Sequence, residues 1–150
     1  MTEFLTLAIA IAALITVILN AIAVRIMNQT VQAMQKGMSA QNFKAAWDIL
    51  QDEPVRAARR HVFSTLRDKD YSNWSDTDKQ HAEIMCHTYD AVAIMIRHGM
   101  LPSDLIVPHW APTISDSWHI VKPMVEEYRS QRREPKMWDD YQWLASIASR

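Results

Sequence analysis

The sequence predicts an all-α fold, with one N-terminal transmembrane helix followed by a small cytoplasmic helical bundle of about five helices. Only 2 of the 150 residues are glycine, so tight hairpin turns lack their usual residue. No run of alternating apolar and polar residues is long enough for a strand. Apolar residues recur instead at spacings of three and four, which is the period of an amphipathic helix.

Residues 4–24 form an uncharged apolar segment with three polar members, which are Thr6, Thr16 and Asn20. At about 1.5 Å per residue such a helix spans roughly 31 Å, the thickness of the hydrocarbon core of a bilayer. A cleaved signal peptide is the alternative, because Ala21-Ile22-Ala23 resembles a cleavage site. No Lys or Arg precedes the segment, however, and it is long for a signal peptide. We therefore expect residues 1–25 to be an uncleaved membrane anchor.

The distribution of basic residues predicts the orientation of the anchor. All 16 Lys and Arg residues lie from Arg25 onward, and Arg25 and Lys36 are the nearest to the apolar segment. Basic residues close to a span favour the cytoplasmic side, so we expect an outer N-terminus and a cytoplasmic C-terminal domain. Residues 26–38 are expected to continue as a juxtamembrane helix or linker, with a break at Gly37.

Small and polar residues recur every fourth position along the predicted span, at Ala8, Ala12, Thr16 and Asn20. Small residues let transmembrane helices approach closely, and Thr and Asn can hydrogen-bond between helices in lipid. This pattern favours a packing face for another membrane helix. A plain anchor is the alternative, because Ala is common in spans and Asn20 could lie near the headgroups.

Residues 39–150 are expected to form the helical bundle, and its first half is predicted from caps and apolar rows. Ser39 can cap a helix reaching to about Asp52, with an apolar row that is Phe43, Ala46, Trp47 and Leu50. The sequence Asp52-Glu53-Pro54 is typical of the start of the next helix, and residues 68–76 read as a loop. The clearest helix is predicted over 76–98. Ser75 and Asp78 have capping-box spacing before it, and Gly99 follows it.

The second half of the bundle is interrupted by prolines. Pro102, Pro108 and Pro112 predict a connector with one short turn at 103–107. Thr113 is expected to open a helix that Pro123 kinks or restarts. A last helix is expected to begin at Pro135.

Residues with chemical potential are present, but no catalytic pattern joins them. Cys86 is the only cysteine, which excludes an internal disulfide and multi-cysteine zinc sites, and we expect it to be a half-buried structural thiol. Glu83 and His87 are four residues apart on one helix face, but helix-bundle metal sites need more ligands than this. We therefore predict no catalytic, cofactor-binding or metal-binding residue. The alternative is a metal or small-ligand site at which His81, Glu83, His87 or His119 converge.

Two groups of residues are candidates for contact with a partner. Trp74 and Trp110 lie in predicted loops, where a tryptophan either plugs the core or anchors a protein–protein contact. The other tryptophans in helical rows, at 47, 118, 138 and 143, are expected in the core. Arg56, Arg59 and Arg60 could meet lipid headgroups or a partner, although nearby acidic residues favour a salt-bridged solvent face. The net charge of −1 argues against a nucleic-acid partner.

The chain resembles an uncharacterised group of bacterial single-pass membrane proteins with a C-terminal helical domain of unknown function. The resemblance depends on the Arg-rich helix at 55–66, the turn His98-Gly99-Met100-Leu101, the Trp-bearing segment 115–118 and the aromatic row at 141–145. It implies a bacterial inner-membrane location and supplies no active-site residue.

Together these observations predict a non-enzymatic accessory subunit or adaptor of a larger bacterial membrane complex. Its expected partners are the lipid bilayer and other membrane protein subunits, and self-association into a homo-oligomer is compatible with the pattern. Two alternatives remain: a membrane-anchored sensor or enzyme with a metal or small ligand in the bundle, and a self-associating membrane signalling module.

Overall fold

The computed structural model describes residues 1–149, without the side chains of residues 5–10 and 12. Within this part of the chain there is no strand, and the all-α prediction is confirmed. The α-helices are α1 (Thr2–Gln51), α2 (Glu53–His61), α3 (Asp76–Arg97), α4 (Val107–Arg132) and α5 (Asp139–Ala148). A π-helical segment, Val62–Leu66, continues α2, and 3-10 turns cover Tyr71–Asn73 and Ser103–Leu105.

The predicted break at Gly37 is wrong, because α1 continues through Gly37 and Ser39 to Gln51. A single glycine inside a helix costs only about 1 kcal/mol relative to alanine, and the residues around it are good helix formers. The chain nevertheless divides into two compact units, Met1–Met38 and Ser39–Arg150.

The first unit presents large apolar side chains on every described side of its helix. Leu14, Val17 and Leu19, for example, are 60–64% exposed. The helix that contains them is long and apolar enough to cross a membrane, and none of its most apolar window is buried. By length and composition it is therefore a candidate membrane span near the N-terminus.

The core of the second unit lies between α3, α4 and α5, with α2 packed on α3. At its centre the ring of Tyr141 lies 5.2 Å from that of Tyr89 and 5.0 Å from that of Trp118. The Tyr141 hydroxyl lies 2.7 Å from Ser117 Oγ, which also donates to the Thr113 carbonyl oxygen. The buried polar atoms of Ser117 and Tyr141 are thus paired, as burial requires.

Helix α3 begins and ends as its sequence predicts. Ser75 and Asp78 form a reciprocal capping box at its start. At its end Gly99 has a left-handed φ of 69°, a conformation that glycine adopts without steric cost. The Met100 amide then donates to the Met95 carbonyl, which is the long hydrogen bond of a Schellman motif.

Helix α4 begins earlier than predicted and runs on through Pro123, where a kink or a restart was predicted, so the restart does not occur. It starts at Val107 and includes Pro108, Pro112 and Pro123. Pro108 lies in the first turn, where no amide donor is needed. Pro112 and Pro123 are on the exposed side, so water can hydrate the carbonyl groups that lose a partner.

The last helix begins at Asp139 and not at the predicted Pro135. Residues 135–138 form a turn, and Trp138 at its end has a left-handed φ of 55°. The Trp138 side chain is only 4% exposed, and its indole Nε1 donates to His87 Nδ1 at 3.3 Å. Burial of this ring offsets a backbone conformation that costs roughly 1–2 kcal/mol.

The end of α4 supports a test of backbone strain. Arg133 follows the helix with a left-handed φ of 56°, so Arg133→Gly should raise the free energy of unfolding by about 0.5–1 kcal/mol. Arg132→Gly, one residue earlier and still helical, should lower it by about 1 kcal/mol. Thermal unfolding of the full chain in detergent, followed by circular dichroism, would reveal the opposite signs. A loss of stability in both variants would contradict the expected strain at Arg133.

Candidate functional site

The second unit carries a surface groove lined by aromatic side chains. Its lining is Phe43, Trp47, Leu105, His109 and Trp110, and its volume is about 370 Å³. We call this set the aromatic groove. Its wall is mostly apolar, with the histidine at one side as a polar group.

Aromatic contacts fix the shape of the aromatic groove. The Trp47 and Trp110 rings lie 6.1 Å apart in an edge-to-face arrangement, and Phe43 lies 6.1 Å from Trp47. Trp47 is nonetheless 43% exposed, so its predicted place in the core is wrong. The reason is that Ala46 and Leu50, both 0% exposed, occupy the inner side of α1, which leaves Trp47 beside them facing outward.

Two separate segments build the aromatic groove. The last turns of α1 supply Phe43 and Trp47, and the 3-10 turn with the start of α4 supplies the remaining three side chains. Asn42 Nδ2 donates to the Met100 carbonyl at 2.7 Å and so links α1 to the loop after α3. Leu105 at 39% and Met100 at 43% exposure add to the apolar surface of this loop.

Of the predicted arginine cluster, only Arg59 reaches the aromatic groove. Its guanidinium carbon lies 4.8 Å from the centre of the Trp110 ring, within the range of a cation–π contact. Its Nη1 donates to the Leu50 carbonyl at 3.3 Å. Arg56 and Arg60 instead pair with Glu53, at 3.6 and 2.8 Å. The hydrogen bond from Arg60 is the main cause of a lowered Glu53 pKa, and the positive charges of Arg60 and Arg56 lower this pKa further.

The two loop tryptophans occupy different environments. Trp110 is half-buried in the aromatic groove, although in α4 and not in a loop. Trp74 is 8% exposed and belongs to the hydrophobic core. Its Nε1 donates to the Lys69 carbonyl at 3.2 Å, and its ring meets Tyr71 edge-on at 5.1 Å. Trp74 therefore fills the role of a core plug.

The predicted transmembrane packing face is described only in part. Thr16 and Asn20 lie on α1 with exposed side chains. Ala8 and Ala12 lie outside the residues whose side chains the structure describes. Partner packing along this face stays a prediction.

A second cluster, which the sequence did not predict, surrounds the buried carboxylate of Asp78. His61 Nε2 lies 2.7 Å from Oδ1, and Lys69 Nζ donates to Oδ2 at 2.6 Å. The Ser75 amide and hydroxyl also donate to Oδ2, at 2.8 and 2.9 Å. The Lys69 hydrogen bond is the largest of the contributions that hold the Asp78 pKa well below its usual value, against the opposing effect of burial.

His81 lies beside this cluster, with its ring 4.4 Å from the ring of His61. Burial lowers the pKa of His81, and the neighbouring His61 lowers it further. Among the side chains that the structure describes, no three His, Cys, Asp or Glu residues are placed to hold a metal ion. The arrangement is that of an ion pair that joins α2, α3 and the segment between them, residues 67–75, which we call the α2–α3 connector. Only the Ser75–Asp78 spacing pointed to it in the sequence.

The other residues considered for chemistry contact separate partners. Glu83 accepts a hydrogen bond from the Tyr128 hydroxyl at 2.6 Å, His87 accepts one from Trp138, and His119 is exposed on α4. Cys86 is fully buried, where burial raises its thiol pKa well above the ordinary value. A buried, protonated thiol is a poor nucleophile, so Cys86 acts here as a small apolar side chain.

The family described as Domain of unknown function (DUF4760) matches residues 3–147. The match includes both compact units. No curated protein and no solved structure matches the sequence.

The Asp78 cluster predicts a specific response to acid. Asp78→Asn should lower the free energy of unfolding near neutral pH by about 2–4 kcal/mol, because it leaves Lys69 and His61 without their anionic partner. The folded-state pKa of Asp78 is depressed, so its contribution is present above about pH 4 and is lost as the pH falls below that value. The variant should therefore lose less stability than the wild type between neutral and acidic pH.

Denaturant unfolding of the full chain at several pH values, followed by tryptophan fluorescence, would measure both effects. Asp68→Asn, an exposed position in the α2–α3 connector, is the matched control and should stay close to the wild type. Equal acid sensitivity of wild type and Asp78→Asn would contradict the assignment.

Proposed function

This chain belongs to the DUF4760 family, and we propose that it is a non-enzymatic, single-pass membrane adaptor or accessory subunit. In this proposal the N-terminal helix anchors the protein in a bacterial inner membrane. The aromatic groove of the helical domain then binds a segment of another subunit. The observation that carries the proposal is the exposed Trp47 beside Phe43 and Trp110 on the surface of the folded domain.

The composition of the aromatic groove suits protein recognition. Trp and Arg are the residue types most enriched among side chains that dominate binding energy, and here Trp47, Trp110 and Arg59 lie together. Exposed apolar surface of this kind is costly in water and commonly marks a contact with another molecule. The best-fitting partner segment would place an apolar side chain in the aromatic groove, against the outer surface of the two indole rings, which already contact each other.

The apolar surface of α1 supports the membrane anchor. Side chains such as Leu14, Val17 and Leu19 are at least 60% exposed and would be hydrated if the helix were in water. A lipid environment removes this cost at roughly 25 cal/mol per Å² of apolar surface. Arg25 and Lys36 lie just after this apolar segment, which supports a cytoplasmic helical domain.

Substitutions in the aromatic groove test the adaptor role. Trp47→Ala and Trp110→Ala should each weaken the complex by at least about 2 kcal/mol, or roughly 30-fold in affinity. Trp47→Ala should leave the fold intact because this side chain is 43% exposed and lies outside the buried core. The measurement is native mass analysis after mild detergent extraction from membranes that hold the protein at natural abundance.

The matched control is Ile94→Ala, which removes an exposed apolar side chain from α3 and should leave the complex unchanged. A wild-type protein that extracts as a monomer, or only as multiples of its own mass, would refute the adaptor role. So would a hetero-complex that survives both tryptophan substitutions.

The proposed topology has its own test. Protease added to the outer face of intact spheroplasts should leave residues 39–150 undigested, whereas lysed spheroplasts should lose them. If protease added outside intact spheroplasts digests residues 39–150, the domain lies on the outer side and the proposed orientation is wrong. Release of the protein by alkaline washing would contradict the anchor.

A further inference from the structure

Helix α1 carries a second exposed surface, which the adaptor role leaves unused. Eight residues follow one another at alternating spacings of four and three: Ala13, Val17, Asn20, Val24, Met27, Val31, Met34 and Met38. All eight are exposed on the helix, and the valines and methionines among them are 46–65% exposed. We call this row the heptad seam.

The a positions of the heptad seam match those of a two-stranded parallel coiled coil. Counting Val24 as position a places Val17, Val31 and Met38 at a as well. Ala13, Asn20, Met27 and Met34 then occupy position d. β-Branched residues at a, combined with Leu at d, favour two strands. Three of the four a positions here are valine, whereas the d positions carry Met, Ala and Asn20 in place of Leu.

The end of the heptad seam nearest the second unit needs a cover that lipid does not supply. Met27, Val31, Met34 and Met38 follow Arg25, beyond the apolar segment that ends at Val24. Polar residues such as Asn28, Gln29 and Gln32 surround them, so this stretch belongs in water or in the headgroup region. Four large apolar side chains on one line of such a helix are typical of a helix–helix contact.

The charges of the segment favour a second copy of the same chain as the cover. Positions e and g decide which helices can pair, and here they carry no charge. These positions are Ala21, Ala23, Asn28, Thr30, Gln35 and Gly37. The charged residues Arg25 and Lys36 fall at positions b and f, which point away from the seam. Two identical parallel helices can therefore pair without like charges meeting, and the seam offers no charge to select a different, oppositely charged helix.

We propose that the heptad seam is a homodimer interface, in which α1 pairs with α1 of a second copy in parallel and in register. The anchor would impose this arrangement, since both copies cross the bilayer in the same direction and at the same height. This inference is independent of the aromatic groove. A chain can form the dimer and lack the adaptor function, or the reverse.

Cysteine cross-linking in native membranes tests the proposal. Single cysteines are placed on the seam (Met27→Cys, Val31→Cys, Met34→Cys and Met38→Cys) and off it (Gln29→Cys, Gln32→Cys and Lys36→Cys). A disulfide needs Cα atoms within about 7 Å, so mild oxidation should give at least about fivefold more covalent dimer at the seam positions than at the others. The wild type, whose single Cys86 is fully buried, provides the background and should give no dimer.

A second variant separates specific pairing from crowding in the membrane. Val31→Glu, added to Met34→Cys, places a charge in the seam and should reduce the covalent dimer about tenfold. Gln32→Glu in the same background puts that charge at position b and should leave the dimer unchanged. Resistance to alkaline extraction confirms that each variant remains inserted.

Several outcomes would overturn the proposal. One is a yield of covalent dimer that is zero or equal at all cysteine positions. Another is a yield that is highest at the off-seam positions. A third is a covalent dimer that persists with Val31→Glu. A covalent adduct between a seam cysteine and a different protein would also overturn it, because it would assign the seam to another partner.

Discussion

The buried carboxylate of Asp78 joins the end of α2 and the loop that follows it to the start of α3. It caps α3 through Ser75, and it pairs with Lys69 of the α2–α3 connector and His61 at the end of α2. An anion with 4% side-chain exposure is tolerable only because every one of these partners is present. This pairing acts on α2, the π-helical segment and α3 together with the apolar contacts of Ala58, Val62 and Leu66 in the core. The apolar core of the domain then packs around a carboxylate whose two oxygens both have hydrogen-bond partners.

The aromatic groove follows from how the last turns of α1 pack. Ala46 and Leu50 face the core, and Arg59 reaches back to the Leu50 carbonyl while its guanidinium covers Trp110. Trp47 lies at the edge of this face and is 43% exposed, whereas Phe43 is half-buried and packs against the core. The packing that buries Ala46 and Leu50 thus leaves Trp47 beside them partly exposed, and the start of α4 completes the wall.

Local signals predicted much of the fold, and long-range contacts account for the remainder. The bounds of α3 were predictable because Ser75, Asp78 and Gly99 act within one helical turn. The start of helix α4 was predicted too late, because whether a proline interrupts a helix depends on which side faces water, and the core sets that side.

Trp110 was recognised as a candidate for contact, but Trp47 was assigned to the core, because an apolar row alone does not reveal which of its members reach the centre. The His61–Asp78–Lys69 contacts join residues up to 17 positions apart, and no spacing rule identifies such pairs.

The way in which the aromatic groove is built determines when it can form during synthesis of the chain. Its two halves come from α1 and from the start of α4, with α2 and α3 made between them. A nascent chain in which only α1 has been made still lacks the second wall, and a misfolded domain would separate Trp47 from Trp110. Recruitment through this groove would therefore begin only after the domain has closed, so a subunit bound there would report that folding is complete.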